Sequence, residues 1–199
     1  MRMTEHRLRL MIREYVLNEL FESQPYDYSY DPDNSSVILK GTQSSLPWKV
    51  LHQDAIYNFT SEENEYEVVF QLNPSNRKIS IENLENPQDP KHYYWDISYT
   101  TGFSEFEMTN VNDMRVLPTI GKITADFFKN MLPTLLDSDV NNFGFVGINE
   151  VGEDPKKQSK RTRVYLGMLS RYIKSHNLKL EFLPSDPTQL DVVRFKVSS

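Results

Sequence analysis

The spacing of apolar residues changes once along this chain, from the two-residue repeat of strands to the longer repeat of helices. Residues 66–72 and 93–100 alternate apolar and polar side chains, which predicts strands. From Val116 to Met131 apolar residues recur every three or four positions, which predicts a mostly buried helix ending near Pro133. Because strands come first and helices later, we expect an α+β domain.

The remaining patterns complete this predicted fold, a mixed and mainly antiparallel sheet with two packed helices. A turn at residues 73–76 predicts a hairpin between 66–72 and a strand at 78–81, whereas 49–59 fits either a strand or a loop. Residues 159–175 predict the second helix, which fits a right-handed crossover between parallel strands. The other predicted strands are an inner strand at 143–148 and a closing hairpin of 178–183 with 191–197.

An amphipathic helix is predicted ahead of this domain, at residues 4–22. Residues 23–45 are rich in turn formers and predict a tether with one short strand near 37–40. Within that stretch three tyrosines alternate with polar residues, which fits a surface strand but favours an irregular linker. The predicted units are therefore 1–22, 23–45 and 46–199, and the candidate docking residues of the first helix are Leu8, Ile12, Val16 and Leu20.

Composition excludes several classes of site. The chain has no cysteine, which excludes disulfides, thiolate zinc sites and cysteine nucleophiles. Its four histidines are scattered, so we predict no metal site and no cofactor. No apolar run approaches the roughly 18 residues of a membrane span, and charged residues interrupt any secretory signal. We therefore expect no membrane partner and a location in a cytoplasm or in an assembly formed there.

The main candidate site is a basic segment. Between Lys156 and Lys179 there are eight Lys or Arg residues and no acid, while the other 175 residues sum to about −14. This asymmetry marks the start of the second helix as the place where an anion or nucleic acid would bind. The favoured interpretation of the charges themselves is a solvated face paired with the chain's own carboxylates. The candidate residues are Lys156, Lys157, Lys160, Arg161, Arg163, Arg171 and Lys174.

Other polar residues give weaker indications, and no catalytic residue is predicted. Asp113 fits a helix N-cap, and Arg115 and Arg161 can converge on one carboxylate or on the sheet edge. Signatures of phosphate-binding loops, dinucleotide folds, catalytic triads and zinc proteases are missing. Whether the chain is an enzyme stays open, with a non-enzymatic role favoured. A metal set of Glu150, Glu153, Asp154 and His176 has no fixed spacing to support it.

Two segments of the chain form a recognisable pair. The first is Thr109-Asn110-Val111-Asn112-Asp113-Met114-Arg115-Val116, and the second is Lys160-Arg161-Thr162-Arg163-Val164-Tyr165. Together they resemble a group of small uncharacterised virion-associated proteins of myovirus-type tailed bacteriophages. Asn110 and Asn112 replace two glycines of that group's pattern, and Lys160 replaces a serine. From Trp95 to Val197 the order of elements also resembles the N-terminal non-catalytic domain of the head-packaged ADP-ribosyltransferase of T-even phages. The residues that match the pattern of the small virion-associated proteins are Trp95, Asp113, Arg115, Val116, Arg161 and Tyr165.

The resemblance implies a virion or head-packaged binding protein without catalysis of its own. Its partners would be a phage capsid or tail component, a host protein or DNA, and its location the virion or the bacterial host cytoplasm. Packaging tags of internal head proteins are cleaved after an Ile/Leu-x-Glu tripeptide, which here implies cleavage after Glu14, Glu19 or Glu22. The alternatives are an early intracellular inhibitor of a host or defence complex, or a degenerate transferase with a pocket lined by Trp95, Arg115, Arg161 and Tyr165.

Overall fold

The fold is given by a computed structural model, which describes residues 24–41, 53–61, 64–74, 89, 93–101, 115–146, 160–183 and 192–198. The predicted α+β class is confirmed, because these residues form one mixed sheet with two helices. The strands are β1 (Tyr28–Tyr30), β2 (Asp54–Thr60), β3 (Glu65–Pro74), β4 (Tyr93–Thr101), β5 (Asn142–Val146), β6 (Lys179–Phe182) and β7 (Val192–Ser198). The helices are α1 (Val116–Asp126), continued by a π-turn (Phe127–Met131) and a 3-10 turn (Leu132–Thr134), and α2 (Lys160–Ser175).

The strands of the sheet lie in the order β1-β2-β3-β4-β5-β7-β6. The pair of β4 and β5 is parallel, with α1 in the connection between them, and all other neighbours are antiparallel. The predicted closing hairpin is confirmed in the pair of β6 and β7. Because β7 lies between β5 and β6, the parallel strands that flank α2 are not neighbours.

Strand pairing corrects two expectations. The predicted hairpin of residues 66–72 with 78–81 is wrong, because β3 pairs with β2 along one side and with β4 along the other; residues 78–81 themselves lie outside the described residues. The stretch near 37–40 forms only an isolated bridge, between Leu39 and Leu135. The ambiguous segment 49–59 contains β2, which is a strand from Asp54 onward.

Aromatic side chains fill the core between the sheet and the helices. Phe127 stacks on Phe70 with their ring centres 4.0 Å apart, and the Trp95 ring meets it edge-on at 5.3 Å. Phe127 and the adjacent Phe128 are both buried, since the wider π-turn brings consecutive residues towards the same side. Phe128 packs on Phe143 of β5 at 4.3 Å, so the turn joins both halves of the sheet.

Residues 24–30 form a strap across one side of α1, which corrects the irregular-linker interpretation. The strap ends in β1, whose tyrosines pair with β2. The backbone N–H of Tyr26 donates to the Thr119 hydroxyl at 2.9 Å, and the Arg115 guanidinium lies 3.9 Å from the Tyr26 ring centre. The Tyr28 hydroxyl donates to the Asp126 carboxylate. These helix residues, together with Lys122 beside the Tyr28 ring, recur at helical spacing and form one stripe of α1 that faces the strap.

Candidate polyanion-binding surface

The two helices concentrate positive charge in one layer of the molecule. Residues 116–134 and 160–175 contain seven Lys or Arg residues and one acid, Asp126. The rest of the chain therefore holds 15 of the 22 basic residues and 27 of the 28 acids. Within the described part of the chain, the helical layer therefore has a net charge of +6, and the residues outside it have a net charge of −6.

The solvent side of α2 carries the predicted basic residues as a ridge. Arg163, Arg171 and Lys174 are spaced to share one side of the helix, and Gly167 and Ser170 lie between them. Arg163 and Lys174 are exposed, whereas Arg171 is half-buried. Their Cα atoms extend over about 16 Å of helix length. The opposite side of α2 is buried through Tyr165, Met168, Leu169, Tyr172 and Ile173, as the apolar spacing predicted.

Lys122 and Lys129 add two exposed cations that sequence reasoning missed. Lys122 belongs to α1 and Lys129 to its π-turn, away from the buried apolar stripe. The Lys122 ammonium lies 5.3 Å from the centre of the Tyr28 ring. Their seven-residue separation, two turns of a helix on its polar side, was a signal available in the sequence.

The one acid of the helical layer is engaged by the strap. Asp126 is half-buried and accepts a hydrogen bond from the Tyr28 hydroxyl. Burial raises the pKa of Asp126 above its ordinary value, and the neighbouring side chains of His176 and Lys129 partly offset this rise. The hydrogen bond from Tyr28 ties the carboxylate to β1.

Several predicted site residues fall outside the described part of the chain. Lys160 and Arg161 occupy the first turn of α2, but their side chains are outside the described part as well. Among the residues that the structure does describe, no cluster of His, Asp and Glu could hold a metal ion. The undescribed candidates are Lys156, Lys157, Asp113, Glu150, Glu153, Asp154, the docking residues Leu8, Ile12, Val16 and Leu20, and the cleavage candidates Glu14, Glu19 and Glu22.

Three of the four residues proposed to line a transferase pocket are described by the structure, and they do not converge on one pocket. Trp95 is 0 % exposed and Tyr165 is 6 % exposed, and both are packed into the aromatic core. Burial raises the pKa of Tyr165, so its hydroxyl stays protonated. Arg115 instead lies at the start of α1, where its Nε donates to the Gln24 carbonyl at 2.7 Å. This filled core counts against the transferase hypothesis.

Arg115 also borders a surface recess beside the strap. The recess has a volume of about 540 Å³ and is lined by both β1 and β2. It is open and shallow, and its contact residues include Tyr26, Asp27, Asn58 and Thr60. Such a mixed polar lining lacks the enclosed apolar walls typical of a small-molecule site.

Comparisons with known proteins add no family to this description. No protein family, curated protein or solved structure was found to match the chain. Neither described helix has the length and apolarity needed to cross a bilayer. The charge separation between the two layers is therefore the main basis for inferring a function.

Proposed function

We propose that this chain is a non-enzymatic DNA-binding protein of a phage virion or phage head, docked there through its N-terminal segment. The observation that carries the DNA-binding part is the charge separation, in which the helical layer holds seven basic residues and one acid within a chain of net charge −6. Lys and Arg contacts to phosphates supply most of sequence-independent DNA affinity. The virion location rests on the resemblance of residues 95–197 to phage proteins.

The ridge on α2 suits backbone contacts rather than base reading. Its exposed ends, Arg163 and Lys174, are separated by about 16 Å along the helix, which is close to five base-pair steps of duplex DNA. Gly167 and Ser170 between them are small, so that a phosphate backbone can approach the helix closely. With five phosphate contacts across the layer, a plot of the logarithm of the binding constant against the logarithm of the salt concentration would have a slope of about −4 to −5.

Fluorescence anisotropy with a labelled duplex over a range of salt concentrations tests the DNA-binding proposal. We expect Arg163→Gln/Lys174→Gln to weaken binding and to reduce the magnitude of the salt slope by about 2. The matched control is Arg194→Gln/Lys196→Gln, which removes the same charge from the sheet surface of β7. Absence of binding by the native chain, or equal loss in both variants, would contradict a site on α2.

Mass spectrometry of purified virions tests the proposed location. The proposal expects this chain among the virion proteins, and an N-terminus at Tyr15, Leu20 or Ser23 would identify a cleaved packaging tag. An intact N-terminus would instead indicate a structural component docked by its first helix. If the chain is missing from the virion, the packaged-protein proposal fails and an intracellular role takes its place.

A second candidate function is inhibition of a host or defence complex through the acidic sheet surface. On β2, β3 and β4 the side chains that point away from the helices include Asp54, Glu67 and Asp96, and the described residues of these strands contain no Lys or Arg. An acidic surface of this kind fits a basic protein partner. Retention of a host complex by the native chain, lost in Asp54→Asn/Glu67→Gln but kept in Arg163→Gln/Lys174→Gln, would favour this function.

A further inference from the structure

The strand β6 lies at one edge of the sheet with one side of its backbone turned outward. In the described part of the chain, β6 pairs with β7 alone. The N–H of Leu183 donates to the Arg194 carbonyl at 2.9 Å, so residues 183 and 194 form a hydrogen-bonded pair. Because such pairs alternate along an antiparallel ladder, the N–H and C=O groups of Leu180 and Phe182 point away from β7. The N–H of Val197, opposite Leu180, accordingly donates to Asn141 on the other side of β7.

The side chains along this edge alternate between apolar and charged. Leu178, Leu180 and Phe182 share the side of the sheet that carries the helices, and Lys179 and Glu181 share the opposite side. Phe182 is 51 % exposed, although its neighbour Phe195 on β7 is fully buried. Along residues 178–182 the side chains are apolar, positive, apolar, negative and apolar. An antiparallel copy of the same segment therefore places an apolar residue opposite each apolar residue and a negative charge opposite each positive one.

We infer that β6 pairs antiparallel with β6 of a second copy of this chain, about a two-fold axis centred on Leu180. In this register Leu180 lies opposite Leu180 of the second copy, and Phe182 lies opposite its Leu178. Lys179 lies opposite Glu181 of the second copy, twice by symmetry. Within each copy Glu181 also faces Lys196 on β7, so charges of alternating sign run across the joined strands.

The backbone and the charges select this register. Outward-pointing groups meet only if Leu180 and Phe182 pair with residues of the same parity, which permits an axis centred on any one residue of β6 and excludes axes between two residues. An axis centred on Phe182 places no charged residue opposite Lys179 or Glu181, and an axis centred on Lys179 places two lysines opposite each other. An axis centred on Glu181 places two like charges directly opposite each other, which is unfavourable. The N–H of Leu178 already donates to the Ile173 carbonyl, so the Leu180 pair and the two Phe182 N–H groups provide the new hydrogen bonds.

This dimer extends beyond the proposed DNA-binding function and does not depend on it. Opposite residues of an antiparallel pair point to the same side of a sheet, so both helical layers would lie on one side of the joined sheet. α2 leads into β6 through a turn at Asn177, whose φ is 61°. The two cationic ridges would therefore flank the two-fold axis.

Light scattering coupled to size exclusion tests the dimer, using the full chain without DNA over about a hundredfold range of concentration. We expect the native chain to approach twice its 23.4 kDa mass as its concentration rises. In a dimer of two Lys179→Glu chains, or of two Glu181→Lys chains, residues 179 and 181 of opposite copies carry the same charge. The dissociation constant of each variant's own dimer should therefore be at least about tenfold higher than that of the native chain.

An equimolar mixture of these two variants supplies the decisive measurement. Each Glu of one variant then faces a Lys of the other in both cross-strand pairs, so the mixture should recover the dimer mass. Misfolding of either variant cannot produce that recovery, and circular dichroism checks their folds. A native chain that stays at 23.4 kDa, single variants that dimerise like the native chain, or a mixture that stays monomeric would each overturn the proposal.

Discussion

The ring of Tyr172 on α2 lies directly against the backbone of Gly121 on α1. A β-carbon at position 121 would come within 2.8 Å of Cδ2 of this ring, closer than packed side chains allow. Both residues are buried, and α1 and α2 pack against each other. The absence of a side chain at position 121 is therefore what permits this close helix contact.

Gly121→Ala should lower the free energy of unfolding by about 1–2 kcal/mol, because overpacking outweighs the better helix propensity of alanine. Urea denaturation followed by circular dichroism measures the change. Tyr172→Leu made in the Gly121→Ala background should recover part of the loss, since it removes the atoms that the new methyl group meets. Additive losses in the double variant would show that the two positions are not coupled.

Tyr28→Phe should lower the free energy of unfolding by about 1 kcal/mol, because the half-buried Asp126 carboxylate loses its hydrogen-bond donor from the strap. Chemical denaturation is again the measurement. Tyr30→Phe is the matched control, since Tyr30 is the next inward tyrosine of β1 and packs on Tyr57 through its ring. Equal losses from both substitutions would contradict a specific role for the Tyr28 hydroxyl.

Asp31, which directly follows the strap, should make the stability of the fold depend on pH. Its carboxylate accepts four hydrogen bonds, from the side chain and backbone of Asn34, the side chain of Asn58 and the backbone of Asp33, and these lower its pKa. A lowered pKa contributes stability above the ordinary value of about 3.9, and this contribution is lost as pH falls through the folded value.

Asp31→Ala should therefore cost more stability near about pH 7 than at an acidic pH below the lowered pKa of Asp31, where the native carboxylate is protonated. Denaturation midpoints of both proteins at the two pH values measure the difference. Asn34→Ala removes one side-chain donor and should give a smaller effect in the same direction. A pH-independent difference between Asp31→Ala and the native chain would contradict the role of the charged carboxylate.

Phe127→Ala should lower the free energy of unfolding by about 3–5 kcal/mol, because it opens a cavity between the Phe70 and Trp95 rings. Thermal and chemical denaturation measure the loss. Leu39→Ala, at a side chain that is 49 % exposed, should change stability by less than about 1 kcal/mol. A small loss at Phe127 would show that the core is less tightly filled than its ring contacts indicate.

The sequence predicted the elements whose periodicity is strong and missed the contacts that depend on distant partners. The helices, β4, β5 and the closing hairpin follow from apolar spacing, because each presents one face to the same core. The turn formers at residues 73–76 predicted a hairpin that β3 does not make, because β2 and β4 occupy both of its sides. Alternating tyrosines at 26–30 fitted a linker or a strand, and α1, about 90 residues away, provides the stripe that holds them.

The candidate site shows the same division. The basic residues of α2 were predicted because eight cations without an acid occur close together in the sequence. Lys122 and Lys129 were missed because they lie in a different helix, and the shared layer appears only when α1 and α2 pack together. The outward groups of Leu180 and Phe182 could not be predicted, since they depend on the hydrogen-bond register between β6 and β7.

The strap also bears on how the chain folds during synthesis. Its contacts join Gln24, Tyr26 and Tyr28 to α1 across 91, 93 and 98 residues. At about 5–20 residues per second a ribosome needs roughly 5–20 s to make that intervening length. The strap is synthesised before α1 and cannot form its contacts with that helix during this interval. We therefore expect these contacts to form in the late, slow phase of folding, in which long-range contacts form.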